Sequence, residues 1–184
     1  MKNRSVRRIA CSGILAAVYA ALTMALGFIS YGPFQFRVAE ALCVLPFFFP
    51  FSAWGLVIGC LLANLISAYG VLDVVFGTLA TALCCLAVIA LGRGDKRSWI
   101  RCILACLMPV LFNAVIVGAL IAYFETDCIF TGPFWPAFWT NAFSVGLGEL
   151  AVLFVLGLPL MRWLPNSRFY AILSEKLDRE EKTA

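Results

Sequence analysis

A small set of polar side chains lies inside an otherwise apolar chain, and their types restrict the chemistry open to it. Arg37 and Glu40 stand one helical turn apart, Asn64 and Ser67 repeat that spacing, and Asp73 follows shortly after. Farther along, Asn113 precedes a series of Phe138, Asn141, Val145 and Glu149, whose steps of three, four and four place them in one stripe along a helix. Carboxylates accept hydrogen bonds, amides both accept and donate, and a guanidinium only donates. An aromatic residue above, an amide on the way and a carboxylate at the floor suit a flat, hydrogen-bonding ligand. The same residues also admit a plainer account, in which Arg37 and Glu40 form a structural ion pair and Glu149 bonds Asn113 or a backbone group. Trp135 and Trp139 either stack on a ligand or belong to an interfacial aromatic belt.

Other chemistries are removed by what the chain lacks. There is no histidine among its 184 residues, which excludes Ser-His and zinc-His catalysis. The eight cysteines (11, 43, 60, 84, 85, 102, 106 and 128) include no CxxC, and all but Cys128 lie in or beside apolar runs. Seven of them therefore read as buried small hydrophobes. Cys102 and Cys106 share a helical face but have no second ligand pair, so neither a metal site nor a disulfide framework is expected. No Gly-xxxx-Gly-Lys-Ser/Thr phosphate loop occurs, so ATP hydrolysis by this chain is not expected either. No catalytic residue is assigned.

The elements that must position these groups follow from composition. Hydrophobic residues make up 63% of the chain and charged ones 13%, at a mean hydropathy of +0.96, whereas a soluble domain carries about 25% charge. The bilayer is the solvent for most of this chain. Six apolar runs cover residues 9–30, 36–51, 53–68, 71–91, 98–124 and 134–164. The first is long enough to cross a hydrocarbon core of about 30 Å and reads as a retained helix rather than a signal peptide. Residues 31–36 form an outer loop after it. The second is interrupted by Pro46 and Pro50, so it and the third form either two kinked antiparallel spans or a re-entrant hairpin that leaves four true spans. The expected fold is an all-α integral membrane protein, a six-transmembrane-helix bundle in one domain over 1–168, with a charged cytoplasmic tail over 169–184. Neither a 20–50-residue repeat nor an inverted duplication is evident.

Charge placement orients the bundle. Of 14 basic residues, all but Arg37 fall in three clusters: Lys2 to Arg8, Arg93 to Arg101, and Arg162 to Lys182. Under the positive-inside rule these share the cytoplasmic face, together with both termini. Such short clusters flanking apolar runs do not make a nucleic-acid surface. Arg37, Glu40, Asn64, Ser67 and Asp73 then sit at one level on the outer side. Asn113 and Glu149 fall near mid-membrane, where an ionised carboxylate facing lipid costs several kcal/mol, so Glu149 is expected to face the interior. On the first helix Gly13, Ala17, Ala21 and Ala25 recur every four residues beside Ser12, Ala16 and Ala20. That smooth face serves either packing within the bundle or docking of an outside helix.

Together these features resemble the substrate-binding S-components of energy-coupling factor (ECF) transporters. More specifically, Gln35 to Pro46 (QFRVAEALCVLP), Asn64 to Ser67 (NLIS), Gly70 to Ala80 (GVLDVVFGTLA) and Val145 to Leu150 (VGLGEL) look like the QueT family, over roughly residues 9–163. The resemblance implies a multi-pass subunit of the bacterial plasma membrane that binds a queuosine precursor, either queuine or a pre-queuosine 7-deazaguanine base. It implies that Gly13, Ala17, Ala21 and Ala25 dock on a transmembrane coupling subunit, and that two partner ATPases use ATP while this chain holds no cofactor. Arg37, Glu40, Asn64, Asp73 and Glu149 match polar positions of the family, with Asn113, Phe138 and Asn141 completing the expected site. Glu149 is the first choice, and Glu40 the second, to accept two neighbouring N–H groups of a deazaguanine. Asp73 would meet a cationic aminomethyl group, while Asn64 and Asn141 would read the ring carbonyl. Two other readings remain open: an S-component for another vitamin-like ligand, and a stand-alone proton-coupled carrier using Glu149 and Asp73. An intramembrane enzyme is disfavoured because no cysteine has an obvious base beside it.

Overall fold

Backbone surrounded by lipid must satisfy its own hydrogen bonds, and helices do so within a single segment. The computed structural model describes residues 2–30, 35–67 and 69–178 and shows no strand among them. Helix α1 (Lys2–Ala25) continues into the single turn α2 (Gly27–Ser30). A 3₁₀ helix (Val38–Phe47), α3 (Ser52–Asn64), α4 (Gly70–Gly92) and α5 (Trp99–Thr126) follow. Helix α6 (Phe134–Val152) passes through a π turn at Leu153–Gly157 into α7 (Leu158–Trp163), and α8 (Arg168–Asp178) ends the described chain. Most of the expected outer loop (31–34), the end of the third run at Ala68 and the last residues (179–184) lie outside the described residues.

Among the described residues, four stretches are long and apolar enough to cross a membrane: Ser5–Ala25, Gly70–Gly92, Trp99–Thr126 and Phe134–Asn166. The second and third runs give shorter helices instead. At about 2 Å rise per residue for 3₁₀ and 1.5 Å for α, each covers roughly 20 Å, short of a core of about 30 Å. Proline accounts for the end of the first of these, because Pro46 donates no hydrogen bond and sits in the last turn of the 3₁₀ helix. A 3₁₀ run of ten residues is long for that geometry. It is held by packing, since α1, α3, α4 and α5 all lie against it.

Close helix contact depends on small residues. Gly55 and Gly59 put the backbone of α3 against Ser12 and Ala16 of α1, and a Cβ at Gly59 would lie 2.8 Å from both the Ala16 carbonyl oxygen and the Tyr19 Cβ. Helix α3 also packs on α4, α4 on α5, and α5 on α6. The core between them holds Tyr19, Val44, Phe47, Leu56, Val88, Leu153 and Met161, all essentially fully buried. Six cysteines are buried as well, but Cys11 is only half-buried, a correction to the expected seven. Helix α1 meets α3 along the line of Ser12, Ala16 and Tyr19, and Cys11 sits beside that line rather than on it.

Contacts between distant segments collect the three basic clusters at one end of the bundle. The Arg8 guanidinium lies 6.0 Å from the Phe51 ring centroid, and Arg162 Nη1 donates to the Arg97 carbonyl at 2.9 Å. The segment expected as a charged tail begins as helix α8. Its Tyr170 ring packs against Phe48 and Phe49 at 5.8 and 5.4 Å, because the helix is amphipathic and turns its apolar side to the bundle.

Candidate functional site

The polar residues picked out by their cost in lipid converge inside the bundle. Arg37, Glu40, Asn64, Asp73, Asn113 and Glu149 are all at most 3% exposed. Five different helices deliver them. Arg37 stands at the N-cap of the 3₁₀ helix and Glu40 lies in its first turn, three residues on, a spacing that aligns side chains in 3₁₀ geometry. Helix α3 ends at Asn64, α4 places Asp73 in its first turn, and α5 and α6 contribute Asn113 and Glu149.

The partners of these groups divide the centre into two linked parts. In the first, Arg37 Nη2 stands 3.8 Å from Asp73 Oδ2, while the Tyr19 hydroxyl donates to Glu40 Oε1. Asn64 Nδ2 donates to the Asp73 backbone carbonyl at 3.2 Å and approaches Cys60 Sγ at 3.4 Å, which also takes the Thr81 hydroxyl at 3.1 Å. Gly77 makes room for this arrangement, since a Cβ there would lie 2.5 Å from Asn64 Nδ2. In the second part, Asn113 Nδ2 donates to Glu149 Oε1 at 3.3 Å. Glu149 is within electrostatic reach of both Glu40 and Arg37, which joins the two parts. The π turn begins four residues beyond Glu149.

Five buried oxygens in this centre take no hydrogen bond from the described residues: Glu40 Oε2, Asn64 Oδ1, Asp73 Oδ1, Asn113 Oδ1 and Glu149 Oε2. Buried polar atoms are nearly always satisfied, so an acceptor set of this size calls for donors. Three carboxyl groups against one guanidinium also favour a ligand that is rich in N–H groups or cationic.

Two expected site residues lie apart from the centre. Asn141 Nδ2 donates to Glu125 Oε2 at 2.7 Å and to the Ala137 carbonyl at 3.0 Å, near the end of the bundle. Phe138 stacks on Phe134 at 5.9 Å, within a group that includes Trp135 and Trp139. Eight and eleven residues separate them from Glu149, or about 12 and 16 Å along a helix. The stripe is real in angle and spread out in depth. Conversely, Tyr19 is not among the expected site residues. The signal for it was a lone phenol within the apolar first run, judged by the rule that selects Asn113.

Helix α1 presents its two small-residue rows in opposite senses. Ala16 and Ala20 are buried toward the bundle, whereas Ala17, Ala21 and Ala25 are exposed and Gly13 is exposed beside them. A cleft of about 830 Å³ opens between the first half of α1 and the start of α3, lined by Arg8, Gly13, Ala16, Phe51, Trp54 and Ile58 among others; of the exposed row, Gly13 alone lines it. It contains none of the polar side chains of the centre.

The family model described as QueT transporter matches residues 9–166 of this chain. A Queuosine precursor transporter QueT from Lactococcus lactis subsp. cremoris (strain MG1363) is 42% identical over 83 residues, which cover 44% of this chain and 48% of that relative. The chain thus spans about half the length of the curated relative it matches. No solved structure matches.

Proposed function

The chain belongs to the QueT transporter family, and from that premise we propose that it captures a queuosine precursor, queuine or a pre-queuosine 7-deazaguanine base, for import. It is a multi-pass protein of the cell membrane. The observation that carries the reading is the set of five buried oxygens without donors. A deazaguanine offers an amino group and a ring N–H side by side, and a carboxylate accepts both at once. Glu149 takes that role and Glu40 is the alternative. Asp73, already beside Arg37, receives a cationic aminomethyl group, and Asn64 reads the ring carbonyl; Asn113 holds Glu149 in place.

In this reading the chain is an S-component of an ECF transporter, with six membrane-level helices and both termini cytoplasmic. It breaks no bond of its ligand. A transmembrane coupling subunit docks on Gly13, Ala17, Ala21 and Ala25, and two ATPase subunits supply the energy. The exposure of that row supports the docking role.

Ligand binding by the purified full chain, measured calorimetrically with guanine, queuine and the aminomethyl-deazaguanine, tests the substrate. Binding of a deazaguanine is expected, and no binding of any of them overturns the assignment. Ala17→Leu with Ala21→Leu is expected to abolish uptake in cells while leaving binding intact. Equal loss of both would return that row to internal packing. Uptake into vesicles driven by a proton gradient alone would replace the ECF mechanism with a carrier.

A further inference from the structure

The end of the bundle that gathers the basic clusters carries a second polar feature, unrelated to the buried centre. A pocket of about 220 Å³ lies between the segment that precedes α5 and the end of α7, lined by Lys96, Arg97, Met161, Arg162, Pro165 and Asn166. Arg162 is held in place there. Its Nη1 donates to the Arg97 carbonyl at 2.9 Å, and its guanidinium lies 4.2 Å from the Trp99 ring centroid. A guanidinium has five N–H donors, so that carbonyl uses a fraction of them. The nearby acid, Asp95, accepts the backbone N–H of Arg97 at 2.9 Å. Three cations therefore line the pocket, and no carboxylate among the described residues does.

Beside this charge stand large apolar side chains: Trp99, Ile100 and Trp163 are 56%, 71% and 62% exposed. Cations bordered by exposed indole rings mark the level where headgroups meet hydrocarbon. Basic pockets between membrane helices at that level bind phosphate-bearing headgroups, and a pre-oriented arginine fits a phosphate in bidentate fashion. We propose that Lys96, Arg97 and Arg162 bind the phosphate of an anionic phospholipid in the adjoining leaflet. The apolar rim favours a lipid over free phosphate, because acyl chains would lie along Trp99, Ile100 and Trp163. This proposal does not depend on the transport substrate.

The test uses the full chain in nanodiscs of equal phosphatidylglycerol and phosphatidylcholine, with retained lipid counted by mass spectrometry after extraction into detergent. An excess of phosphatidylglycerol is expected. If Lys96 and Arg97 each contact the bound phosphate and contribute roughly fivefold apiece, Lys96→Gln with Arg97→Gln should weaken the preference about 25-fold, whereas cations outside the pocket do not touch the retained lipid. These positions are exposed, and the Arg97 carbonyl that holds Arg162 is kept. Arg7→Gln with Arg93→Gln, an equal charge loss outside the pocket lining, should leave most of the excess. No preference in the unaltered chain, or equal loss in both double variants, overturns the proposal. Displacement of the lipid by millimolar inorganic phosphate, but not by chloride of equal ionic strength, would make free phosphate the occupant and overturn the lipid assignment.

Discussion

Arg37 and Arg162 are the same residue in two surroundings. Arg37 is 2% exposed, within 3.8 Å of the Asp73 carboxylate and among other buried acids. Arg162 is half-buried at the end of the bundle, over an indole ring and beside a backbone carbonyl, with other cations as neighbours. In the centre every charge is removed from water, so each must be matched inside the fold, and acceptors left over call for a ligand. At the rim, water and headgroups screen charge, and cations can gather without partners of opposite sign. On the two proposals above, the buried centre captures the precursor and the rim binds an anionic lipid.

That contrast makes graded predictions. The largest effect is expected for Arg37→Gln, which leaves Asp73 buried without its cation and should destabilise the fold by about 3–5 kcal/mol in thermal unfolding of the purified protein. Asp73→Asn in the same background should recover part of the loss, and no recovery would break the pairing. Next comes Glu149→Gln, where losing a charged acceptor is expected to weaken deazaguanine binding about 10- to 100-fold by calorimetry. The fold should change little, because the amide oxygen introduced at that position still accepts from Asn113. A Tyr19→Phe change removes the donor to Glu40 and should cost about 1–3 kcal/mol of stability in the same melts. Smallest is Arg162→Gln, where loss of a stacked, partly solvated cation should cost only about 0.5–1 kcal/mol. If Arg162→Gln matched Arg37→Gln, the distinction between centre and rim would fail.

Which residues belong to the centre was largely readable beforehand. Arg37, Glu40, Asn64, Asp73, Asn113 and Glu149 stand out because polar groups in apolar runs are costly unless they face inward, and all six are buried together. Their pairing was readable in part: the Asn113–Glu149 contact forms as one of the expected alternatives. Arg37 and Glu40 attract one another as their three-residue spacing suggests, but contacts to Asp73 on α4 and Tyr19 on α1 also organise them. Those partners are 36 and 21 positions away, and local periodicity carries no information at that range. Asn141 shows the complementary limit: helical spacing put it on the Glu149 face, but depth along the axis put its amide within reach of Glu125.

Composition and the order of polar and apolar residues by themselves determined that this chain is helical, that lipid surrounds it, that its basic residues cluster and that its costly side chains turn inward. Those outcomes follow from transfer free energies, which depend on residue type and local period. Only the tertiary structure decided that the second run becomes a 3₁₀ helix enclosed by its neighbours, that one row of α1 packs on Gly55 and Gly59 while the next stays exposed, and which oxygens are left without donors. These depend on where helices meet, and that is set by the packing of all segments at once.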